Sequence, residues 1–482
     1  MRPWPTAAIA PVEAVVQNVQ AAWTAAAADA THRCHSAKTA MTAKTGNRTR
    51  PSFDRDVVTT VVSRGAVLVL GLLQSIIVAR YLQPAGRGQY ATLMLIPQTM
   101  VMIAPLGLQW SLTYCLRRED FPRERVLRTA LALVLLLSAI GFGISWLGAL
   151  QLRDTFLAGL SSLALLAAAA FVPPRIGQAC WQGVFRGTER ILHANVVNAV
   201  RPALLFAGAV CALVVLRRGV TELVLALLAA ELLVAVAVVP WVFGGRPVRV
   251  SFDPAVARKL LSYGLRIYVF TVLLFLNYRL DVALLRQLAD LEQVGYYATS
   301  VGIAEILWAV PTSLSFVLFP SVVSAEHQRR NRVTSTVARI TLGLMTLVAV
   351  ALALLAYPAI RVLYGTAYLP AVPSLLALLP GVVAMSLQQV LGTDVSGRGR
   401  PAMVTLAAAS GIPINLALNL WWIPQYGAVG AAWASTVSYT LVTVLVLGFF
   451  VRISSVGVGA VLLPRVSDLR EIGSRLNRLL RR

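Results

Sequence analysis

Lysine is almost missing from this chain. Of 482 residues only Lys38, Lys44 and Lys259 are lysine, so arginine supplies nearly all of the 43 basic residues, against 20 acidic ones. Charge of either sign is scarce: 13% of the chain is charged and 57% is hydrophobic, where a soluble domain carries about 25% charged residues. So little polar surface could not cover a water-soluble fold of this length, and lipid must be its solvent. The four cysteines, Cys34, Cys115, Cys180 and Cys211, are scattered without paired spacing, which excludes a disulfide framework or a zinc site. The tract His32-Arg33-Cys34-His35 is a weak compositional signal, and no metal is expected. No G-x-x-x-x-G-K-[ST] occurs, so no ATP-driven engine and no cofactor are expected. Residues 1–50 also lack a short apolar core followed by a small-residue cleavage site. In a soluble protein a net charge of +23 would suggest nucleic acid. Here the arginines flank apolar stretches, where they set topology, and no nucleic-acid partner is expected.

What is present is apolar length. Apolar runs recur between Val57 and Arg452, each reaching the ~20 residues that cross a hydrocarbon core of ~30 Å. They predict spans near 57–80, 88–113, 127–150, 155–180, 190–216, 220–243, 257–280, 293–323, 333–357, 370–392, 401–424 and 427–452. The expected fold class is all-α, a polytopic membrane protein of about twelve transmembrane helices. Loops on one side carry Arg117, Arg118, Arg123, Arg125, Arg175, Arg186, Arg246, Arg249, Arg329, Arg330, Arg398 and Arg400. Loops on the other carry only Arg87, Arg153, Arg217, Arg218, Arg286 and Arg361. The richer side is expected in the cytoplasm, with both termini there because the number of spans is even. The Arg, Ala, Val and Leu bias fits a GC-rich genome and suggests a bacterium, so a bacterial inner membrane is the expected location.

The chain repeats itself. Gly65 and Arg80 have counterparts in Gly264 and Arg279, and Gly88-Gln89-Tyr90-Ala91-Thr92 is matched by Gly295-Tyr296-Tyr297-Ala298-Thr299. Gly187 and Arg190 correspond to Gly397 and Arg400, and Gly219 to Gly427, all in order and at a near-constant offset. Six spans per half make these parallel repeats about an axis along the membrane normal. The expected organisation is a basic, largely disordered cytoplasmic tail over 1–56, six-helix lobes over 57–245 and 246–455, and a cytoplasmic tail over 456–482. A marginal helix fits near 11–29, and Met41 is an alternative start. In the last tail Val466, Leu469, Ile472, Leu476, Leu479 and Leu480 recur at three and four among arginines, which predicts a surface helix near 465–480 with its leucines in the membrane. Two such lobes enclose a central cavity, a geometry suited to alternating access.

The runs Ala79-Arg80-Tyr81-Leu82, Gly88-Gln89-Tyr90 and Pro105-Leu106-Gly107-Leu108 resemble the opening spans of the polysaccharide flippases. These belong to the multidrug/oligosaccharidyl-lipid/polysaccharide exporter superfamily. Asp281, Val294-Gly295-Tyr296-Tyr297-Ala298, Pro311-Thr312-Ser313-Leu314 and Leu318-Phe319-Pro320-Ser321 follow that family's seventh and eighth helices in order. Tyr364-Gly365, Leu379-Pro380-Gly381, Gly397-Arg398-Gly399-Arg400, Asn415-Leu416-Ala417-Leu418-Asn419, Ile423-Pro424 and Tyr426-Gly427-Ala428 continue the pattern. The resemblance implies two six-helix lobes forming a V. It also implies a substrate, an oligosaccharide on a polyprenyl (pyro)phosphate moved from inner to outer leaflet for cell-surface polysaccharide biosynthesis. Implied partners are that lipid-linked oligosaccharide, membrane lipids, and a polysaccharide polymerase with its glycosyltransferases. Two alternatives stand beside it. One is a multidrug exporter of the same superfamily, which often has an acidic cation site in span one that is not evident here. The other is a membrane polymerase or glycosyltransferase, against which the short non-cytoplasmic loops argue. No enzymatic activity is expected.

An anionic lipid-linked sugar needs cations in the cavity, at a depth where a charge costs ~2.5–3.5 kcal/mol and so faces water or a partner. Arg201 falls ~16 Å into span five and Arg266 ~14 Å into span seven. Either could contact phosphate or sugar, or pair with Glu231 or Glu305 to fix lobe packing. For Glu305 an ion pair is the favoured role. Arg64 is a cavity contact or snorkels to headgroups. Asp281, at the outer end of span seven beside Arg279, reads as a cap or gate. Asn415 and Asn419 share a face of span eleven and could bond sugar hydroxyls, or make an interhelical hydrogen bond beside a kinked helix. Asn195 and Asn198 make a comparable set in span five. Trp181, Trp308, Trp421, Trp422 and Trp433 could stack on sugar rings or serve as core and interface anchors.

Overall fold

A computed structural model describes residues 51–245, 249–324 and 327–463. The tail helices near 11–29 and 465–480 and the His32–His35 tract lie outside the described residues, as do the side chains of Arg64 and Arg266.

Helix follows helix throughout. We number them α1 (Pro51–Ile103), α2 (Leu108–Arg118), α3 (Arg123–Gln151), α4 (Ser162–Ala170), α5 (Val172–Gly187), α6 (Ile191–Ala209) and α7 (Val220–Phe243). The second half comprises α8 (Pro254–Leu288), α9 (Leu291–Leu307), α10 (Ala309–Ser324), α11 (His327–Leu363), α12 (Ala371–Gly397), α13 (Pro401–Ser454) and the short α14 (Val458–Leu462). Among the described residues eight helices are long and apolar enough to cross a membrane, and two of these, Gly65–Arg118 and Pro401–Ser454, run for 54 residues. At 1.5 Å per residue a straight helix of that length would measure ~80 Å, more than two hydrocarbon thicknesses. Both break where the backbone leaves the helical region. Gln83 (φ 59, ψ 173) precedes Pro84, whose ring disfavours a helical residue before it. Gly427 (φ 53, ψ −129) adopts a left-handed φ that a side chain would oppose. Each thus supplies two passes, and with α8 and the α9–α10 pair the twelve-span expectation holds.

The helices turn their aliphatic side chains outward as well as inward. Leu147, Val236 and Leu354 are 62%, 70% and 78% exposed, as suits a surface solvated by acyl chains. Span four differs from its expected position. Ser161 caps α4 by accepting from the Ala164 N–H at 3.1 Å, so the pass occupies 162–187 rather than 155–180. That puts Arg175, grouped with the loop arginines by the sequence, at the middle of the span rather than near its end.

At the arginine-poor end the halves are sealed against each other. A Cβ added to Gly88 would lie 1.9 Å from the Leu291 carbonyl oxygen, and one added to Gly295 would lie 2.1 Å from that of Pro84. Each glycine thus rests on the carbonyl four residues before the other. Thr92 and Thr299 mirror the arrangement, each donating its hydroxyl to its own glycine's carbonyl at 2.9 Å. The repeated motif of the sequence is therefore a pseudo-twofold contact. Around it Arg80 donates to the terminal carbonyls of α11 at Val362 and Leu363, Tyr368 donates to Ala79 O at 3.0 Å, and Arg286 donates to Ala158 O at 2.9 Å. A helix C-terminus carries partial negative charge, so the end of α11 holds Arg80 with its own carbonyls. At the arginine-rich end the first turns of α8 join the first half. Lys259 pairs with Asp120 at 2.5 Å, Arg125 with Asp253 at 3.5 Å, and the Tyr114 and Tyr263 rings stack at 4.1 Å. Val256, Ala257 and Leu260 complete the apolar cluster of α2, α3 and α5 there.

Candidate functional site

Three first-half helices bring their polar residues together at mid-span. Glu231 lies in the middle of α7 with no exposed side-chain surface. Arg201 reaches it from α6, its Nε 3.0 Å from both carboxylate oxygens and its Nη2 2.5 Å from Oε1. Gln178 of α5 donates its amide to Oε2 at 2.8 Å, and Arg175, one turn earlier, holds Nη1 3.7 Å from Oε1. Local sequence explains the arrangement. Pro173 and Pro174 open α5 where their missing N–H groups are no loss, and Arg175 and Gln178, three apart, then share a face. In α6, Pro202 removes a helical hydrogen bond, and about two turns later the helix widens into a π-turn at Val210–Val215.

Two cations share one anion here, leaving positive charge in excess. The carboxylate is fully covered, whereas Arg175 and Arg201 keep 28% and 26% of their side-chain surface exposed. Glu231 therefore anchors the guanidinium groups from behind, and their remaining N–H donors stay available. A pair of fixed, partly exposed guanidinium forks is suited to a phosphate or diphosphate, which each can bind bidentately. Beside them Gln182 donates to Asn198 Oδ1 at 3.1 Å.

The other candidates from the sequence lie elsewhere. Glu305 pairs with Arg279 at 3.3 Å, each about one-third exposed, so its ion pair exists with a different arginine from those expected. Because α8 continues to Leu288, Asp281 is inside the helix rather than at its end. It is 2% exposed and accepts from the hydroxyls of Tyr297 and Ser435, joining α8, α9 and α13. Asn415 and Asn419 are fully buried, and Asn419 donates its amide to Asn415 Oδ1 at 2.9 Å. Trp181 is core at 4% exposure, while Trp421 and Trp433 are exposed. Sequence reasoning missed Arg175, which looked like a topology arginine, and Gln178. The i,i+3 spacing behind a double proline was the available signal.

A family model described as polysaccharide biosynthesis protein matches residues 77–373. An uncharacterized membrane protein of Methanocaldococcus jannaschii is 27% identical over 207 residues, 42% of this chain and 41% of that protein. A probable low-salt glycan biosynthesis flippase of Haloferax volcanii is 22% identical over 193 residues, 39% of this chain and 41% of the flippase. The matched region thus spans about two-fifths of these curated relatives. Among solved structures, the lipid II flippase MurJ in an inward closed conformation gives a TM-score of 0.69 at 15% identity, covering 83% of this chain and 90% of MurJ. An inward-facing multidrug resistance MATE family transporter gives 0.68 at 13% identity, covering 82% and 98%. The family model covers more than half of the chain, and the fold is the one these transporters share. This multi-pass membrane protein belongs to the polysaccharide biosynthesis protein family.

Proposed function

We propose that this protein translocates a polyprenyl-(pyro)phosphate-linked oligosaccharide between membrane leaflets by alternating access, for cell-surface polysaccharide biosynthesis. The observation that carries the reading is the Arg175–Arg201–Glu231 cluster, in which excess positive charge stands partly exposed at mid-span. An exporter of cationic drugs would be poorly served by such a lining, whereas an anionic lipid headgroup is matched by it. The family's polysaccharide role and the glycan flippase relative support the same cargo. In this reading the lobes are 57–245 and 246–455, and the arginine-rich end and both termini face the cytoplasm of a bacterial cell. The chain acts as a carrier, and polymerase and glycosyltransferases act on its substrate before and after it.

In vesicles containing the full chain, a fluorescent polyprenyl-diphosphate glycan should move toward the leaflet at the arginine-poor end. Arg175→Gln and Arg201→Gln should each slow that movement about tenfold, the loss expected for one charge-assisted contact. Absence of any glycolipid movement, with efflux of a cationic dye instead, would assign the protein to multidrug export.

A further inference from the structure

Among the described residues Arg87 has no counter-charge within ion-pair distance. It is 7% exposed, at the start of the second pass, where its Nη1 donates to Ser75 O at 3.1 Å and its Nη2 to Ser75 Oγ at 3.0 Å. Its Nε–H is buried without a partner, and no carboxylate among the described residues lies within ion-pair distance. A guanidinium stays charged at any pH a cell offers, and burying a charge without its opposite is among the costliest arrangements a fold can contain.

Its position gives that cost a role. Ser75 and Arg87 both belong to the first half, but their covering comes from the second. A Cβ on Gly302 of α9 would stand 3.8 Å from both Arg87 Nη2 and Ser75 Oγ, and Tyr364 shares a hydrogen bond with Ser75 at 3.3 Å. Parting the halves at the Gly88–Gly295 contact would strip off Gly302 and Tyr364 while leaving Arg87 held by Ser75. The separation would also free Arg80 from the α11 carbonyls. Tyr90, one turn beyond Arg87, lies within electrostatic reach of Arg87 and also of Arg175, Arg201 and Glu231. Tyr90 thus stands between Arg87 and the mid-span cluster, on the same half of the protein.

We propose that Arg87 is a second, concealed anion-binding residue, covered while the arginine-poor end is shut and presented to the substrate's phosphate when that end opens. This rests on the lipid-phosphate reading above and adds a specific exit-side contact to it. The anion leaving Arg175 and Arg201 meets Arg87 next, and relief of the unpaired buried charge favours the open form in which release occurs. A plain staple between the first two passes would need Arg87 only for its two bonds to Ser75, and would give no anion response.

The test uses full-length protein in nanodiscs, with farnesyl diphosphate as probe and phenylglyoxal as arginine reagent. Gly295→Val, and independently Gly88→Val, hold the arginine-poor end apart. Arg87 should resist phenylglyoxal in the parent and react in both wedged variants, with farnesyl diphosphate protecting it. Arg87→Gln should leave the parent's affinity within about twofold, yet weaken binding about tenfold in either wedged background. Binding to the parent that depends on Arg175 and Arg201, combined with no effect of Arg87→Gln in either wedged variant, would overturn this inference alone. An Arg87 that remains unreactive in both wedged variants would do the same. Failure of the parent to bind farnesyl diphosphate at all would overturn the lipid-phosphate reading and this inference with it.

Discussion

Gly88→Val should nearly abolish transport while leaving the protein inserted and folded. The parent places the Gly88 position so that a Cβ would fall 1.9 Å from a backbone oxygen, and backbone cannot swing aside as a flexible side chain can. Forcing a valine into such a contact costs about 3 kcal/mol, the upper end of overpacking penalties. That cost falls only on the conformation in which the halves touch. A shift of this size changes the population of the sealed form about a hundredfold, and a carrier that cannot close one end cannot complete its cycle. Gly295→Val should behave alike, because the contact is reciprocal. Gly143→Val is the control, since nothing lies within 4 Å of its Cβ position, and its transport should match the parent. Initial rates in vesicles read all three, with monodisperse elution in detergent confirming the fold. A Gly88→Val protein that transports at the parental rate would show that this contact does not open and close.

Removing the shared anion should have the largest effect on stability. Glu231→Gln leaves Arg175 and Arg201, each about a quarter exposed, near each other with nothing between them; stripping the partner from a fully buried charge typically costs about 3–5 kcal/mol, and the partial exposure lowers that cost here. The expected result is a marked drop in thermal stability in detergent, larger than that of Arg201→Gln, which leaves Arg175 still beside Glu231. Combining Glu231→Gln with Arg175→Gln and Arg201→Gln should restore stability without restoring transport, because the repulsion goes and the phosphate donors go with it. Recovery of transport in that triple variant would separate the cluster from the substrate altogether.

The sequence made the architecture legible because lipid imposes simple rules. Span length follows membrane thickness, and arginine placement follows topology, so twelve passes could be counted before any coordinate was known. The matched Gly88 and Gly295 motifs announced a repeat, yet not that the two copies meet. Pairing across pseudo-symmetry depends on how the halves dock, which no local pattern encodes. Arg201 stood out because a lone charge in an apolar run is costly, and Glu231 was one of two acids at suitable depth. Arg175 escaped because it fell five residues from the expected end of span four, where an arginine reads as a topology marker. Arg87 escaped for a related reason: next to a loop, an arginine reads as a topology marker, and its burial arises only when α9 of the other half covers it. Asp281 illustrates the same limit, since α8 extends two turns farther than its apolar run.

The most direct test of the account is headgroup discrimination. Two glycolipids with the same sugar and the same isoprenoid chain, one joined through diphosphate and the other through an uncharged ether, should be offered to the same vesicles. The account predicts rapid movement of the diphosphate lipid, little movement of the ether lipid, and loss of that preference in Arg175→Gln/Arg201→Gln protein. Equal transport of both lipids by the parent, or an unchanged preference in the double variant, would contradict the claim that these arginines grip an anionic lipid carrier.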